Sequence, residues 1–277
     1  MSIASDLLHS LQQAWAGRPK PRVRALHLPP VPWNGSKDGE FGAIELDSGA
    51  LGLSYLLFDD ALARVSAASR AGAGLVGADA LDLAAEWAGG EASPARATLG
   101  FAAVNALSRE LFDRAGFVPP AAGDSVAGID AAAGESIGMV GYFPPLLKPL
   151  LARGAQLTVL ELRADLAGQH EGYRVTLDPQ DLAGCSQVLC TSTALLNHTL
   201  DSVLAHCAKA RRVVLIGPGA GCLPDALFAH GISALAGSWI SDPAAFKQAL
   251  ATGAPWSHAA RKFLLQRDGY PGLAELR

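Results

Sequence analysis

Charge is scarce in this chain of 277 residues. Asp, Glu, Lys and Arg together make up 17% of it, while half of the residues are apolar. That composition excludes a disordered polymer and fits a chain that buries a proper core. What charge there is leans acidic, with a formal net charge of −4. The basic footprint of a nucleic-acid binder is missing, so no nucleic-acid partner is expected. Arg18, Lys20, Arg22 and Arg24 do cluster, but their spacing suits a solvated approach to a strand. Cysteine is sparse as well. Cys185, Cys190, Cys207 and Cys222 form no C-x-x-C pair, which argues against a disulfide scaffold and suits reduced thiols in the cytosol. A cytoplasmic protein is expected on that ground. No apolar run approaches the roughly 20 residues of a membrane span, and no membrane partner is expected. The opening residues carry Asp6 early and lack the apolar core and cleavage site of a signal peptide.

What is present is a change of pattern along the chain. Ile3, Leu7, Leu8, Leu11 and Trp15 recur at helical spacing over residues 3–15. Residues 23–28 read as a strand stopped by prolines. Residues 41–46 and 51–58 flank the turn signal Asp47-Ser48-Gly49, which predicts a hairpin. Helices are expected over 59–68 and 80–87. Ser93-Pro94 pairs a capping side chain with a first-turn proline and launches a long helix to about residue 115. Strands followed by helices make an α+β pattern. Residues 118–134 carry few large apolar groups and read as a connection between domains.

From Glu135 onward short strands alternate with helices. Strands are expected near 137–140, 156–161, 187–190, 212–216 and 232–236. Helices are expected near 145–153, 179–184, 194–208, 224–230, 243–250 and 256–267. Such alternation means crossover connections and a mostly parallel sheet. The fold class is therefore α/β, with an α+β domain over 1–120 and a Rossmann-like domain over 121–277.

Three strands of the second half end in loops suited to a ligand, because the carboxyl edge of a parallel sheet is where small molecules bind. In the first, Gly141 stands at the tight turn of a nucleotide-binding fold. Glu161 falls twenty residues later, at the place of a ribose-binding acid. The second and third glycines of G-x-G-x-x-G are missing, and Tyr142 and Phe143 present aromatic surface that could wall a pocket instead. In the second, Thr191, Ser192 and Thr193 open an expected helix, where hydroxyls and free amides can cap the helix or hold an anion. Asn197 lies one turn on. In the third, Gly217, Pro218, Gly219, Ala220 and Gly221 could form a backbone nest for a phosphate or carboxylate. The loop lacks the Lys-Ser/Thr ending of a phosphate-binding P-loop. Cys222 near the next helix start reads as a buried thiol. The cysteines with His198, His206, His230 and His258 show no tight ligand spacing, so a closed zinc site is not expected. A metal carried by a ligand, or held by one or two side chains, stays open. Asn105, inside the apolar stretch Gly100–Leu107, reads as a tie between packed elements or as a pocket-lining amide.

These pieces together resemble the bacterial and archaeal family known as the putative heavy-metal chelation domain. The segments that carry the resemblance are Leu51–Tyr55, Gly100–Ser108, Val140–Pro144, Thr191–Thr199 and Gly217–Pro224, spread over nearly the whole chain. Residues 191–199 keep the pattern T-x-T-x-L-x-N-x-T. The last loop departs from it, with Gly217-Pro218-Gly219-Ala220-Gly221 where relatives tend to carry Gly-Pro-Ser-Thr/Ala-Pro. The resemblance implies an enolase N-terminal-like domain followed by a Rossmann-like one, with a ligand site at their junction. A small anionic or metal-chelating ligand is the expected partner, with a metal ion or metal chelate as cofactor. An enzyme using S-adenosylmethionine or a nucleotide, with Glu161 on the ribose, is the alternative. A homodimer is the expected assembly, two-fold pairs being the commonest oligomers.

Overall fold

The computed structural model describes residues 2–33, 35–36, 38–70, 74–123 and 126–277. Two of the residues expected in the connection over 118–134, Asp124 and Ser125, lie outside the described residues.

The first half runs α1 (Ile3–Trp15), β1 (Val23–His27), β2 (Phe41–Leu46), β3 (Leu51–Tyr55), α2 (Ala61–Arg70), α3 (Ala80–Ala88) and α4 (Pro94–Arg114). Strands β1, β2 and β3 form an antiparallel sheet in that order. Helix α4 starts as the sequence predicts, with Ser93 accepting a hydrogen bond from the Arg96 N–H and proline in the first turn. It is buried nearly all round from Ala97 to Phe112, because it is sandwiched between the small sheet and the helices of the larger one. Gly52 allows the closeness of that packing. A Cβ there would lie 2.1 Å from the Ala106 amide nitrogen and 2.2 Å from the Ala102 carbonyl oxygen. The opposite face of the small sheet puts Ala43, Leu51 and Leu53 against Ile240, Phe246, Leu250 and Trp256.

The second half runs β4 (Ser136–Val140), α5 (Pro144–Ala152), β5 (Gln156–Leu160), β6 (Gly168–His170), β7 (Tyr173–Thr176), β8 (Gln187–Thr191), α6 (Thr193–Leu196) and α7 (Leu200–Ala205). It continues through β9 (Arg212–Ile216), α8 (Asp225–Ala229), β10 (Ala234–Ile240), α9 (Pro243–Thr252), β11 (Ala260–Gln266) and α10 (Leu273–Leu276). Eight strands pair in the order β11-β10-β9-β8-β4-β5-β7-β6. All neighbours from β10 to β7 are parallel, and only the two edge strands run antiparallel. Alternation along each strand splits the core between the two faces. Val188, Cys190, Val213 and Leu215 face α4 and the helices around it, while Ile137, Met139, Leu189, Val214 and Ile216 face α5. Strand order reverses between β4 and β8, since β5 and β7 lie on one side and β9 and β10 on the other. That is the switch point at which open α/β sheets leave a crevice.

The mixed α/β class read from the sequence holds, with three local corrections. Residues 260–266 are not helical but form the edge strand β11, paired over seven residues with β10. Residues 168–170 and 173–176, given no element by the sequence, are strands β6 and β7. The helix expected over 194–208 is two short ones, α6 and α7, broken where His198 takes a φ of +61°. Asn197 Oδ1 accepts from both the N–H and the hydroxyl of Thr199 at that break, so a local side-chain bond replaces the helical ladder. His198 stacks on Trp87, with ring centroids 5.3 Å apart. Among the described residues no helix is long and apolar enough to cross a membrane.

Candidate functional site

The carboxyl ends of β4, β5, β7, β8 and β9 contribute to one cleft, of about 480 Å³. After β4 comes Gly141, whose φ of +87° turns the chain while its N–H donates to the Leu160 carbonyl at 2.9 Å. A side chain at Gly141 would meet Thr191, its Cβ lying 3.2 Å from the Thr191 Cβ, so the first loop packs directly on the second. Tyr142 and Phe143 follow and both line the cleft. The Tyr142 hydroxyl lies 3.1 Å from that of Tyr173 in a shared hydrogen bond.

After β5, Glu161 lies on the cleft wall, yet its carboxylate is already committed. The Tyr142 N–H donates to Oε2 at 3.0 Å, and the N–H groups of Leu162 and Arg163 donate to Oε1 at 2.7 and 3.4 Å. Glu161 therefore binds two loops of this chain together at the position where a ribose acid would stand. Leu162, 83% exposed, and Leu177, 49% exposed, form an apolar rim.

After β8, Thr191, Ser192 and Thr193 form the floor. Thr191 Oγ1 accepts from the Thr193 N–H at 3.2 Å, and the Ser192 N–H donates to the Ile216 carbonyl at 2.7 Å. Ser192 does not cap α6 with its side chain. It is only 4% exposed, lines the cleft, and its hydroxyl has no hydrogen-bond partner among the described residues. Asn197 also lines the cleft, held by its bonds to Thr199.

The third loop divides in two. Gly217 and Pro218 line the cleft, whereas Gly219, Ala220 and Gly221 do not. A Cβ on Gly219 would lie 3.2 Å from Phe101 Cε1 and 3.2 Å from Ser192 Oγ, so that residue is wedged inside the molecule. Gly221 borders a separate void of about 20 Å³ beside Asn105, enough for about one water. Two of the loop's amides are engaged within the chain. The Gly217 N–H donates to the Ala236 carbonyl and the Ala220 N–H to the Gly217 carbonyl. Of the expected nest over 217–221, only Gly217 and Pro218 border the cleft. Helix α6, which the second loop opens, has only four residues.

Asn105 is the tie and not a cleft residue. Its Nδ2 donates to the Leu53 carbonyl at 2.7 Å and to the Gly219 carbonyl at 3.1 Å, joining β3, α4 and the third loop.

The opposite wall was missed by the sequence reading. Glu40 and Phe41 at the start of β2 and Tyr55 at the end of β3 close the cleft from the small sheet. Phe41 and Tyr55 pair across the hairpin, their rings 5.7 Å apart and edge-to-face. Burial pushes the Tyr55 phenol above its ordinary range, and the charges of Glu40 and Glu161 push it the same way. An aromatic residue at each end of a hairpin was the one available sign in the sequence, but only the tertiary fold turns them toward Thr191.

A heavy-metal site would need soft thiolate or imidazole donors. All four cysteines are buried, and burial pushes Cys207 up to about 11 and Cys222 up to about 12, with Cys185 and Cys190 also raised. Among the described residues no group of three or more His, Cys, Asp and Glu side chains could hold a metal ion. The described donors are not gathered into a heavy-metal site.

The model of a family described as "Putative heavy-metal chelation" (DUF364) matches residues 125–267, just over half of the chain. A second family model of the same description (DUF4213) matches residues 40–108. No curated protein matches. Among solved structures, a protein of unknown function from the DUF364 family of Pyrococcus horikoshii is 17% identical. The match covers 95% of this chain and 99% of that one, with a TM-score of 0.69. A protein of unknown function from the same family in Desulfitobacterium hafniense is 21% identical with the same coverage and a TM-score of 0.68. These two share the fold of this chain. A mandelate racemase/muconate lactonizing enzyme from Polaromonas sp. overlaps at a TM-score of 0.35 and 14% identity over 77% of this chain and 79% of that one, too loosely to define a kinship.

Proposed function

The chain belongs to the DUF364 family, described as "Putative heavy-metal chelation", and we propose that it binds a small organic molecule in the cleft. Any heavy metal it handles would arrive already held by that molecule. The observation that carries this reading is the convergence of both sheets on one space. Carboxyl-edge loops supply a hydroxyl floor, Tyr142 and Phe143 one aromatic wall, and Phe41 and Tyr55 the other. A largely apolar concavity with a few convergent polar groups is the usual form of a small-molecule site. The division of the chain into two domains near residue 120, one on each side of the cleft, belongs to the same proposal.

The use of a nucleotide or S-adenosylmethionine has less support. The Gly141 loop lacks further glycines for a pyrophosphate, and the Glu161 carboxylate is taken by three backbone N–H groups. Thermal unfolding with nickel and zinc ions alone, and with the same ions held by picolinate or phenanthroline, tests the reading. The chelated ions are expected to raise the midpoint and the free ions to leave it unchanged. Stabilisation by free ions, equal with and without the chelator, would overturn it.

A further inference from the structure

Most of the large polar side chains that border the cleft are already engaged by the chain. Glu161 accepts from three backbone N–H groups, Glu40 has a partner within the chain, and Asn197 Oδ1 is held by Thr199. The Tyr142 hydroxyl is shared with that of Tyr173. Recognition of a ligand therefore falls to other groups, and the largest of these are aromatic. Phe41 and Tyr55 from the small sheet and Tyr142 and Phe143 from the parallel one bring four rings to one space. Seven large apolar side chains are exposed among the described residues, and three of them, Tyr142, Leu162 and Leu177, border this cleft. Apolar surface gathered around a concavity marks a place that is covered when occupied. Ser192 supplies a second and independent sign. It is 4% exposed and borders the cleft, and its hydroxyl bonds to no described residue. A Cβ on Gly217 would lie 2.8 Å from Ser192 Oγ, so a side chain there would press on the hydroxyl and glycine leaves it open. A buried hydroxyl is ordinarily paired, and at this position a ligand can supply the partner.

Resting on the small-molecule reading above, we propose that the ligand is a flat aromatic molecule with a hydrogen-bonding group at one end. Its ring lies among Phe41, Tyr55, Tyr142 and Phe143, and its polar group meets the Ser192 hydroxyl at the floor. Walls of this kind favour an aromatic body over a saturated one, because offset or edge-to-face contact between rings adds to what burial of area gives. Where the cargo is a metal chelate, the aromatic part belongs to the chelator.

The test compares 2-naphthol with decahydro-2-naphthol, two uncharged bicyclic probes that carry the same hydroxyl and differ in ring saturation. Both are titrated into the full chain at pH 7 and followed by protein and ligand NMR. Burial of apolar area alone gives the aromatic probe no advantage, whereas ring contacts should make 2-naphthol bind about threefold to tenfold tighter. Removing a ring from either wall, by Tyr142→Leu or Phe41→Leu, should shrink that gap. Ser192→Ala should weaken 2-naphthol by roughly threefold to tenfold, the loss of one hydrogen bond. Two plugs of the cleft, Ser192→Tyr and the exposed-rim variant Ser202→Trp, keep the result readable if one of them folds poorly, and a folded plug should abolish binding. Equal affinity for the two probes, or a preference for the saturated one, blocked by the plug, would overturn the aromatic assignment while leaving the small-molecule reading intact. Binding of neither probe, or binding indifferent to both plugs, would overturn the small-molecule reading and this inference with it.

Discussion

The two edges of the parallel sheet are built from similar residues and end up in opposite states. At the amino edge, Glu135 is fully engaged. It accepts from the Ala132 N–H at 3.0 Å, the Ser186 hydroxyl at 2.6 Å, the Gln187 amide at 3.1 Å and Arg211 at 2.8 Å. Those hydrogen bonds hold its carboxyl down to about 2. At the carboxyl edge, Ser192 lines the cleft, and Phe41, Tyr55, Tyr142 and Phe143 line it too. At Glu135 a saturated carboxylate ties loops and strands of the amino edge together, while at the carboxyl edge the Ser192 hydroxyl bonds to no described residue.

The largest effect should come from the residue that couples the carboxyl edge to the small sheet. Asn105→Leu keeps the volume but leaves the carbonyls of Leu53 and Gly219 without their buried donor. A cost of about 2–4 kcal/mol is expected from two stranded acceptors, read as a lower urea midpoint. A loss under 0.5 kcal/mol would mean that the two halves are held by apolar packing alone.

Glu135→Gln probes the amino edge and should cost about 1–2 kcal/mol at neutral pH, the range for hydrogen bonds to a charged group. The sign with pH follows from the depressed value. The folded carboxyl titrates near 2 against an ordinary 4.5, so its stabilisation is complete above about 4.5 and is lost as pH falls toward 2. Wild type and variant should therefore converge in unfolding midpoint as the buffer is taken from pH 6 to pH 2.5. A gap independent of pH would show that the charge of Glu135 is irrelevant.

Glu161→Gln sits at the other edge yet does a structural task, and its effect should be smaller, about 0.5–1 kcal/mol, since one acceptor oxygen remains. Hydrogen exchange should speed up at the Tyr142 and Leu162 amides and nowhere else. Unchanged protection there would show that the two loops are not held by this carboxylate.

Much of the frame is legible from the chain alone. The runs at 137–140, 187–190 and 212–216 are apolar on both faces and bounded by glycine or hydroxyl residues, which is how a doubly covered parallel strand reads. Strand β11 was illegible for a physical reason. Ala260, Phe263 and Leu264 recur at helical spacing, and only pairing with β10 decides for a strand. Strands β6 and β7 are short and polar, with one fully buried side chain, Val175, between them, so they carry no periodic signal. For the site, the residue types pointed to the right loops but not to their state. Whether Gly217 and Gly219 offer amides to a ligand depends on acceptors at Ala236 and on the packing of Phe101, neither of which local sequence reports.

The smallest effect on stability separates the two edges most sharply. A hydroxyl engaged in a buried hydrogen bond costs about 1 kcal/mol or more when removed, because its partner is left behind. Ser192 has no such partner among the described residues, so Ser192→Ala should leave the unfolding free energy within about 0.5 kcal/mol of wild type. The same change at Ser186, whose hydroxyl donates to Glu135 at 2.6 Å, should cost about 1–2 kcal/mol. Ligand affinity should order the two variants the other way. Loss of one hydrogen bond to the bound molecule weakens Ser192→Ala by roughly threefold to tenfold, while Ser186→Ala binds as wild type does. Paired unfolding curves of both variants, with titrations of nickel held by picolinate, give the four values needed. If Ser192→Ala is the less stable variant, its hydroxyl serves the fold, and the contrast between the two edges of the sheet fails.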